Sequence, residues 1–254
     1  AGVAWATFLA QGIACVLALY TVLKRLKTIK TEKNWKLFSG SMLKKISIVA
    51  IPSILQQSFI SIGNIFIQSL INSFGSSVIA GYSAAVKLNT FTITSFTTLG
   101  NGTSSFTAQN LGAGKMERIR EGFWASVKMA FLIAVPFFIA FFFFGEGMLS
   151  MFMGSESKEA METGVQFLRI VSPFYIAISL KLIADGVLRG SGAMTMFMIC
   201  TFSDLILRVV LSYALAESME TFGIWLSWPI GWVVGTVFSL FFYRSGKWKK
   251  QFAS

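Results

Sequence analysis

The sequence predicts an all-α fold: a polytopic bundle of transmembrane helices. Three observations carry this. Of 254 residues, 54% are hydrophobic and only 13% are charged, about half the charged share of a soluble domain, which is roughly 25%. Seven runs are long and apolar enough to meet the requirement of about 20 residues for a membrane-spanning helix. Lysine and arginine gather in alternate connections between those runs. So little polar surface cannot cover a globule in water, so the solvent is lipid, and the same hydrophobicity excludes a disordered chain.

The runs occupy residues 1–23, 46–71, 78–106, 123–144, 164–187, 193–216 and 222–243. The first lacks an initiating Met, a basic leader and a small-residue cleavage site, so it is not a signal peptide. It reads as a chain entered in its middle, and the protein as a piece of a longer one. The third run is the least apolar, because Thr, Ser and Gly crowd its second half. Between the first two runs lie Lys24, Arg25, Lys27, Lys30, Lys33, Lys36, Lys44 and Lys45 against one acid, Glu32. Lys115, Arg118 and Arg120 follow the third run, Arg189 the fifth, and Arg244, Lys247, Lys249 and Lys250 the last. The intervening loops are acidic, with Glu146, Glu156, Glu159 and Glu162 in one and Glu217 and Glu220 in another. Positive loops stay in the cytoplasm, which puts the start of the chain outside, its end inside, and the protein multi-pass in a plasma or inner membrane. In the stretch 31–45, Trp35, Leu37, Phe38, Met42 and Leu43 alternate with lysines, as in a short helix lying at the membrane interface. All four prolines, Pro52, Pro136, Pro173 and Pro229, fall inside the runs, where each removes a backbone hydrogen bond and kinks its helix.

The formal charge of +11 does not mark a nucleic-acid partner, since its carriers sit between apolar runs rather than on one folded face. Cys15 and Cys200 lie inside apolar runs and His is absent, so no metal site is expected. There is no phosphate-binding loop, nucleophile elbow or His-Glu-x-x-His motif. An enzyme and an ATP-driven pump are therefore unsupported, and an ion gradient is the simpler energy source.

Three runs carry polar residues at spacings of three and four, which place them on one helical face. Ser53, Gln57, Ser61, Asn64 and Gln68 form the first such stripe. Lys87, Thr90, Thr94, Thr97, Asn101 and Ser105 form the second, and Thr201, Asp204, Arg208 and Ser212 the third. Hydrogen bonds between helices account for the Ser and Thr. They do not account for Lys87, Asp204 and Arg208, since each charge near the bilayer centre costs about 2.5–3.5 kcal/mol on insertion scales. The candidate substrate and ion cavity is therefore Gln57, Ser61, Asn64, Gln68, Lys87, Thr94, Asp204 and Arg208. Asp204 and Arg208 are one turn apart and able to pair with each other. Lys181, Asp185 and Arg189 lie nearer the cytoplasmic end and suit gating or structure. Gly231 and Gly235 make a small-xxx-small match that allows close helix packing.

Two strings, Ala108-Gln-Asn-Leu-Gly-Ala-Gly-Lys115 and Gly186-Val-Leu-Arg-Gly-Ser-Gly192, with Leu207-Arg-Val-Val-Leu-Ser-Tyr213, resemble the second half of the multidrug and toxic compound extrusion (MATE) family. A glycine link as short as Gly112 to Gly114 between long helices needs positive φ. The resemblance implies twelve helices in two six-helix lobes that rock between inward- and outward-open states, expelling amphipathic, often cationic drugs in exchange for H+ or Na+. In that frame residues 1–23 are the last helix of the preceding lobe, 24–45 a cytoplasmic inter-lobe linker with its interfacial helix, 46–244 the six-helix carboxy-terminal lobe and 245–254 a cytoplasmic tail. The implied partners are small amphipathic substrates, membrane lipid and the missing amino-terminal lobe; no cofactor is implied beyond the coupling ion. Where the sodium-coupled branch places carboxylates, 46–71 has none and 164–187 has only Asp185, near the cytoplasmic end. The usual acid after Gly192 is Ala193, so the coupling ion stays open. The alternative of a lipid-linked oligosaccharide flippase of a related superfamily would rest on Lys87 and Arg208 as its cationic lining; an intramembrane enzyme or a seven-helix receptor has no motif behind it.

Overall fold

The computed structural model describes residues 2–27, 38–153 and 158–252, and among these every regular element is helical. They are α1 (Gly2–Leu26), α2 (Gly40–Asn72), α3 (Ser76–Gly112), α4 (Met116–Phe143), the short α5 (Gly145–Ser150), α6 (Lys158–Val171), α7 (Tyr175–Gly190) and α8 (Met194–Ser245). The chain divides into two compact units, Ala1–Lys44 and Lys45–Ser254. The first holds α1, exposed along its length with apolar residues on every side. Trp35, Leu37 and the lysines between them in the expected interfacial helix, and Glu156 of the acidic loop, lie outside the described residues.

Each of the seven runs forms helix, and two depart from a simple span. The run 164–187 is broken at Ser172–Phe174, a single 3-10 turn with Pro173 at its start. Proline there has no N–H to give the preceding turn, so α6 passes into α7 through this tighter turn. The last two runs are two helices, numbered together as α8, that fold back on each other at Glu220, whose φ is +52°. Its arms, 194–219 and 221–245, run antiparallel. The Ser212 and Ser227 hydroxyls meet at 2.7 Å across them, and a Cβ at Gly223 would come within 2.5 Å of the Leu215 carbonyl oxygen. By length and composition five stretches can cross a membrane, α6–α7 counting as one and α8 as one; α3 is too polar to qualify.

Both glycine strings end their helices in the same way. Gly114 and Gly192 have φ of +69° and +77°. Lys115 N–H donates to the Asn110 carbonyl at 2.8 Å and Ala193 N–H to that of Leu188 at 2.9 Å. This is the Schellman closure, in which a left-handed residue turns the last amides back onto the orphan carbonyls.

The centre of the second unit is a parallel seam between α3 and α6–α7, lined by glycine. A Cβ at Gly81 would strike the Ala160 carbonyl, one at Gly186 the Gly100 carbonyl, and one at Gly190 the Ser104 carbonyl. Asn89 and Tyr175 are both buried and joined across the seam by a 3.0 Å hydrogen bond from the phenol. α4 closes on α3 through Thr103 donating to Ser126 at 2.8 Å. α2 runs along the first arm of α8, with Leu205 against Gly63 and the Tyr213 hydroxyl donating to the Phe66 carbonyl at 3.1 Å.

Replacing Gly186 with Val forces a branched side chain into the Gly100 backbone. Overpacking of this kind costs about 1–3 kcal/mol or more, so the thermal unfolding midpoint of the purified protein in detergent drops. Gly102→Ala, where a Cβ meets nothing within 4 Å, does not lower it, since alanine is the better helix former.

Candidate functional site

The polar stripes take two different places. On α3, the face turned away from the glycine seam is polar and exposed: Lys87, Thr90, Thr94, Thr97, Asn101 and Ser105 all lie on it, with Phe91 its one large exposed apolar side chain. Thr97 returns its hydroxyl to the Ile93 carbonyl at 2.9 Å, and Asn101 accepts a hydrogen bond from Arg189 at the end of α7. Gln57, Ser61 and Asn64 on α2 are exposed and Gln68 half-buried, Gln68 donating to Asn72 at 2.9 Å. Apolar neighbours on α2 such as Ile62 and Ile65 are exposed as well, so exposure marks out a polar face on α3 more sharply than on α2.

The stripe on α8 is buried. Thr201, Asp204, Arg208 and Ser212 face inward among helices of this same unit, and Asp204 and Arg208 do not share a space with Lys87. Their partners also differ from the expected pairing. Asp204 makes its ion pair with Lys181 of α7 at 3.6 Å, while the same ammonium lies 2.9 Å from Asp185. Arg208 makes no ion pair among the described residues; its guanidinium sits 4.7 Å above the ring of Trp228. A lysine from α7 has displaced the pairing that a four-residue spacing within α8 allowed. Lys181 and Asp185, expected near a gate, thus form one network with Asp204.

The network is closed by the second arm of α8. Ser239 donates to the other Asp185 oxygen at 2.6 Å. Gly231 and Gly235 bring the helix backbone directly onto the charges: a Cβ on Gly231 would lie 2.7 Å from Asp204 Oδ1, and one on Gly235 only 2.5 Å from Lys181 Cε. The small-xxx-small match is therefore the roof of the network. Asp185 is satisfied on both oxygens, whereas Asp204 Oδ1, the Arg208 Nε and the Thr201 hydroxyl have no hydrogen-bond partner.

Arg208 is framed by rings that the sequence reading did not single out. Tyr82 stacks on Trp225 at 5.2 Å, and Phe167 meets Trp225 and Trp228 edge-on at 5.3 and 5.5 Å. Cation–π contact of this kind is worth more as water is excluded, which is how the cluster holds a guanidinium without a carboxylate. The only available signal was Trp225, Trp228 and Trp232 at helical spacing on one apolar run. An open, apolar groove of about 900 Å³ lies between α2 and the first arm of α8 and includes Phe66, Leu70, Val209 and Tyr213.

The MatE family model matches residues 52–214. YpnP of Bacillus subtilis (strain 168), a probable multidrug resistance protein, is 27% identical over 251 residues, covering 98% of this chain and 55% of YpnP. NorM of Thermotoga maritima, also a probable multidrug resistance protein, is 21% identical over 257 residues, or 98% of this chain and 54% of NorM. Among solved structures, a MATE protein in its bent conformation superposes with a TM-score of 0.78 at 21% identity, covering 88% of this chain and 50% of that one. An outward-facing multidrug resistance MATE family transporter of the MOP superfamily gives 0.77 at 22% identity, covering 85% and 48%. The chain spans about half the length of the curated relatives it matches.

Removing one member of a buried ion network leaves the others uncompensated, at about 3–5 kcal/mol. Lys181→Met therefore lowers the unfolding midpoint more than the double variant Lys181→Met/Asp204→Asn does. Thermal melts of the purified variants check the order.

Proposed function

The chain belongs to the MatE family, and from that premise we propose that it is the carboxy-terminal lobe, with the one preceding helix, of a secondary active multidrug efflux antiporter. The family's members are transporters, not enzymes, and the protein is a multi-pass membrane protein. In this reading the complete protein carries amphipathic, often cationic compounds outward in exchange for H+ or Na+. Residues 46–244 rock against a second lobe by alternating access. The start of the chain lies outside and its end in the cytoplasm, in keeping with the basic loops.

The exposed polar face of α3 is the observation that carries this reading. A row of hydroxyls, an amide and an ammonium facing hydrocarbon would be costly, so it faces water or another protein surface. The glycine seam holds α3 from its other side, so these groups are not needed to pack it, apart from Asn101, which binds Arg189 of α7. Neither α2 nor α3 contains an acid. A cationic substrate on this face is therefore met by hydroxyls and aromatic or amide edges, and its counter-charge comes from residues beyond the face.

Ethidium efflux by cells expressing the full-length protein tests the assignment. Thr90→Ala, Thr94→Ala and Asn64→Ala each remove a contact of the size of one hydrogen bond, so each lowers the efflux rate, at most by about tenfold, at unchanged expression. Efflux that survives all three substitutions together places the substrate elsewhere.

A further inference from the structure

The buried charges divide unequally, and the division points to a site for a proton. Lys181 Nζ lies 2.9 Å from Asp185 and 3.6 Å from Asp204. Only the first is a hydrogen bond. Asp185 also accepts from Ser239, so it is satisfied as an anion. Asp204 has only the longer contact with the ammonium, and its Oδ1 faces the Gly231 backbone with no donor. Two aspartates, one lysine and one arginine sum to zero when all are ionised, yet Arg208 spends its charge on Trp228 rather than on Asp204. The groups facing Asp204 can be named from each element packed there. α7 supplies Lys181 and Asp185, and the first arm of α8 supplies Arg208 and the Cys200 thiol, which lies beside Lys181 and Asp185. The second arm supplies only Ser239 and the two glycines. α3 supplies Tyr82, beside Arg208, and α2 brings only Gly63, against Leu205.

We propose that Asp204 is a reversible proton-binding site, and that protonating it cuts the ion pair joining α7 to the first arm of α8. A proton from the aqueous phase adds to Asp204 Oδ1, turning the carboxylate into a neutral acid. The Lys181 ammonium keeps all its protons and closes on Asp185 within its own helix. What was a tie between two helices becomes a tie within one. Release of the proton restores the tie. A buried carboxylate oxygen with no donor gains least from staying ionised, which singles out Asp204 over Asp185, whose two oxygens accept from Lys181 and Ser239. This choice of proton as the coupling ion rests on the efflux reading above, but the site itself can be tested without transport.

Infrared difference spectra of the purified full-length protein in detergent, acid against neutral, read the protonation directly. The wild type shows a buried carboxylic C=O band, which is lost in Asp204→Asn and kept in Asp185→Asn. A wild type without such a band, or a band that survives Asp204→Asn, overturns the proposal. If Asp204→Asn does not fold, Asp204→Glu replaces it: the band must persist at a shifted frequency, and an unshifted band overturns the assignment. In proteoliposomes, ethidium uptake driven by a pH gradient is lost in Asp204→Asn while gradient-free ethidium exchange persists; gradient-driven uptake equal to wild type also overturns it. A wild type that moves no ethidium at all sinks the efflux reading instead, and leaves the band to decide the proton site.

Discussion

The close approach of α3 to α6 and α7 is the constraint on which the rest of the second unit depends. Lipid tails are as apolar as leucine, so helices in a membrane gain little by hiding hydrophobic surface from one another and associate through contact and hydrogen bonds. Glycines at positions 81, 100, 186 and 190 remove the side chains that would keep the backbones apart. The Asn89–Tyr175 hydrogen bond then fixes the register along the seam. With α3 anchored on one side by backbone contact, its opposite face is free to be polar. For the same reason α3 is not among the stretches apolar enough to pass as a lipid-facing span.

The same device recurs where the charges lie. Gly231 and Gly235 let the second arm of α8 approach Asp204 and Lys181 so closely that no side chain intervenes. Lys181, with its flexible stem, reaches two carboxylates on two helices, whereas the planar guanidinium of Arg208 finds a flat ring. That choice follows the chemistry of the two cations, since a guanidinium stacks and is weakly hydrated while an ammonium is a compact point charge. The outcome is a neutral set of four ionised groups in which each cation has its own surroundings.

Much of this was legible in the sequence, and the gaps have physical reasons. Run length and loop charge are properties of the chain alone, so the spans and their order could be read directly. The two glycine strings marked their turns because only a left-handed residue closes a helix in that way. Pro173 was visible as a kink, but whether a membrane proline bends or breaks its helix depends on the neighbours that take up the freed carbonyl. Periodicity placed Asp204 and Arg208 on one face without saying what faced them; the ion pair with Lys181 needs the distance between two helices, which no spacing contains. Nor does periodicity say whether a polar face is covered. The stripe of α8 looked like that of α3, yet one is interior and the other exposed. Asn89 and the ring cluster around Trp225 lay unseen because a lone amide and a row of tryptophans have many ordinary places on an apolar helix.

α7 belongs to both systems, and this joins them. One side carries Gly186 and Gly190 into the seam with α3; another carries Lys181 and Asp185 to the two arms of α8. At its start, the 3-10 turn at Ser172–Phe174 interrupts the hydrogen-bonded ladder that would otherwise lock it to α6. Packed interfaces shift between discrete arrangements rather than deforming smoothly. Because α7 and α3 touch backbone to backbone, with Arg189 bound to Asn101 as well, α7 is the element that physically connects the charge network to the helix bearing the polar face.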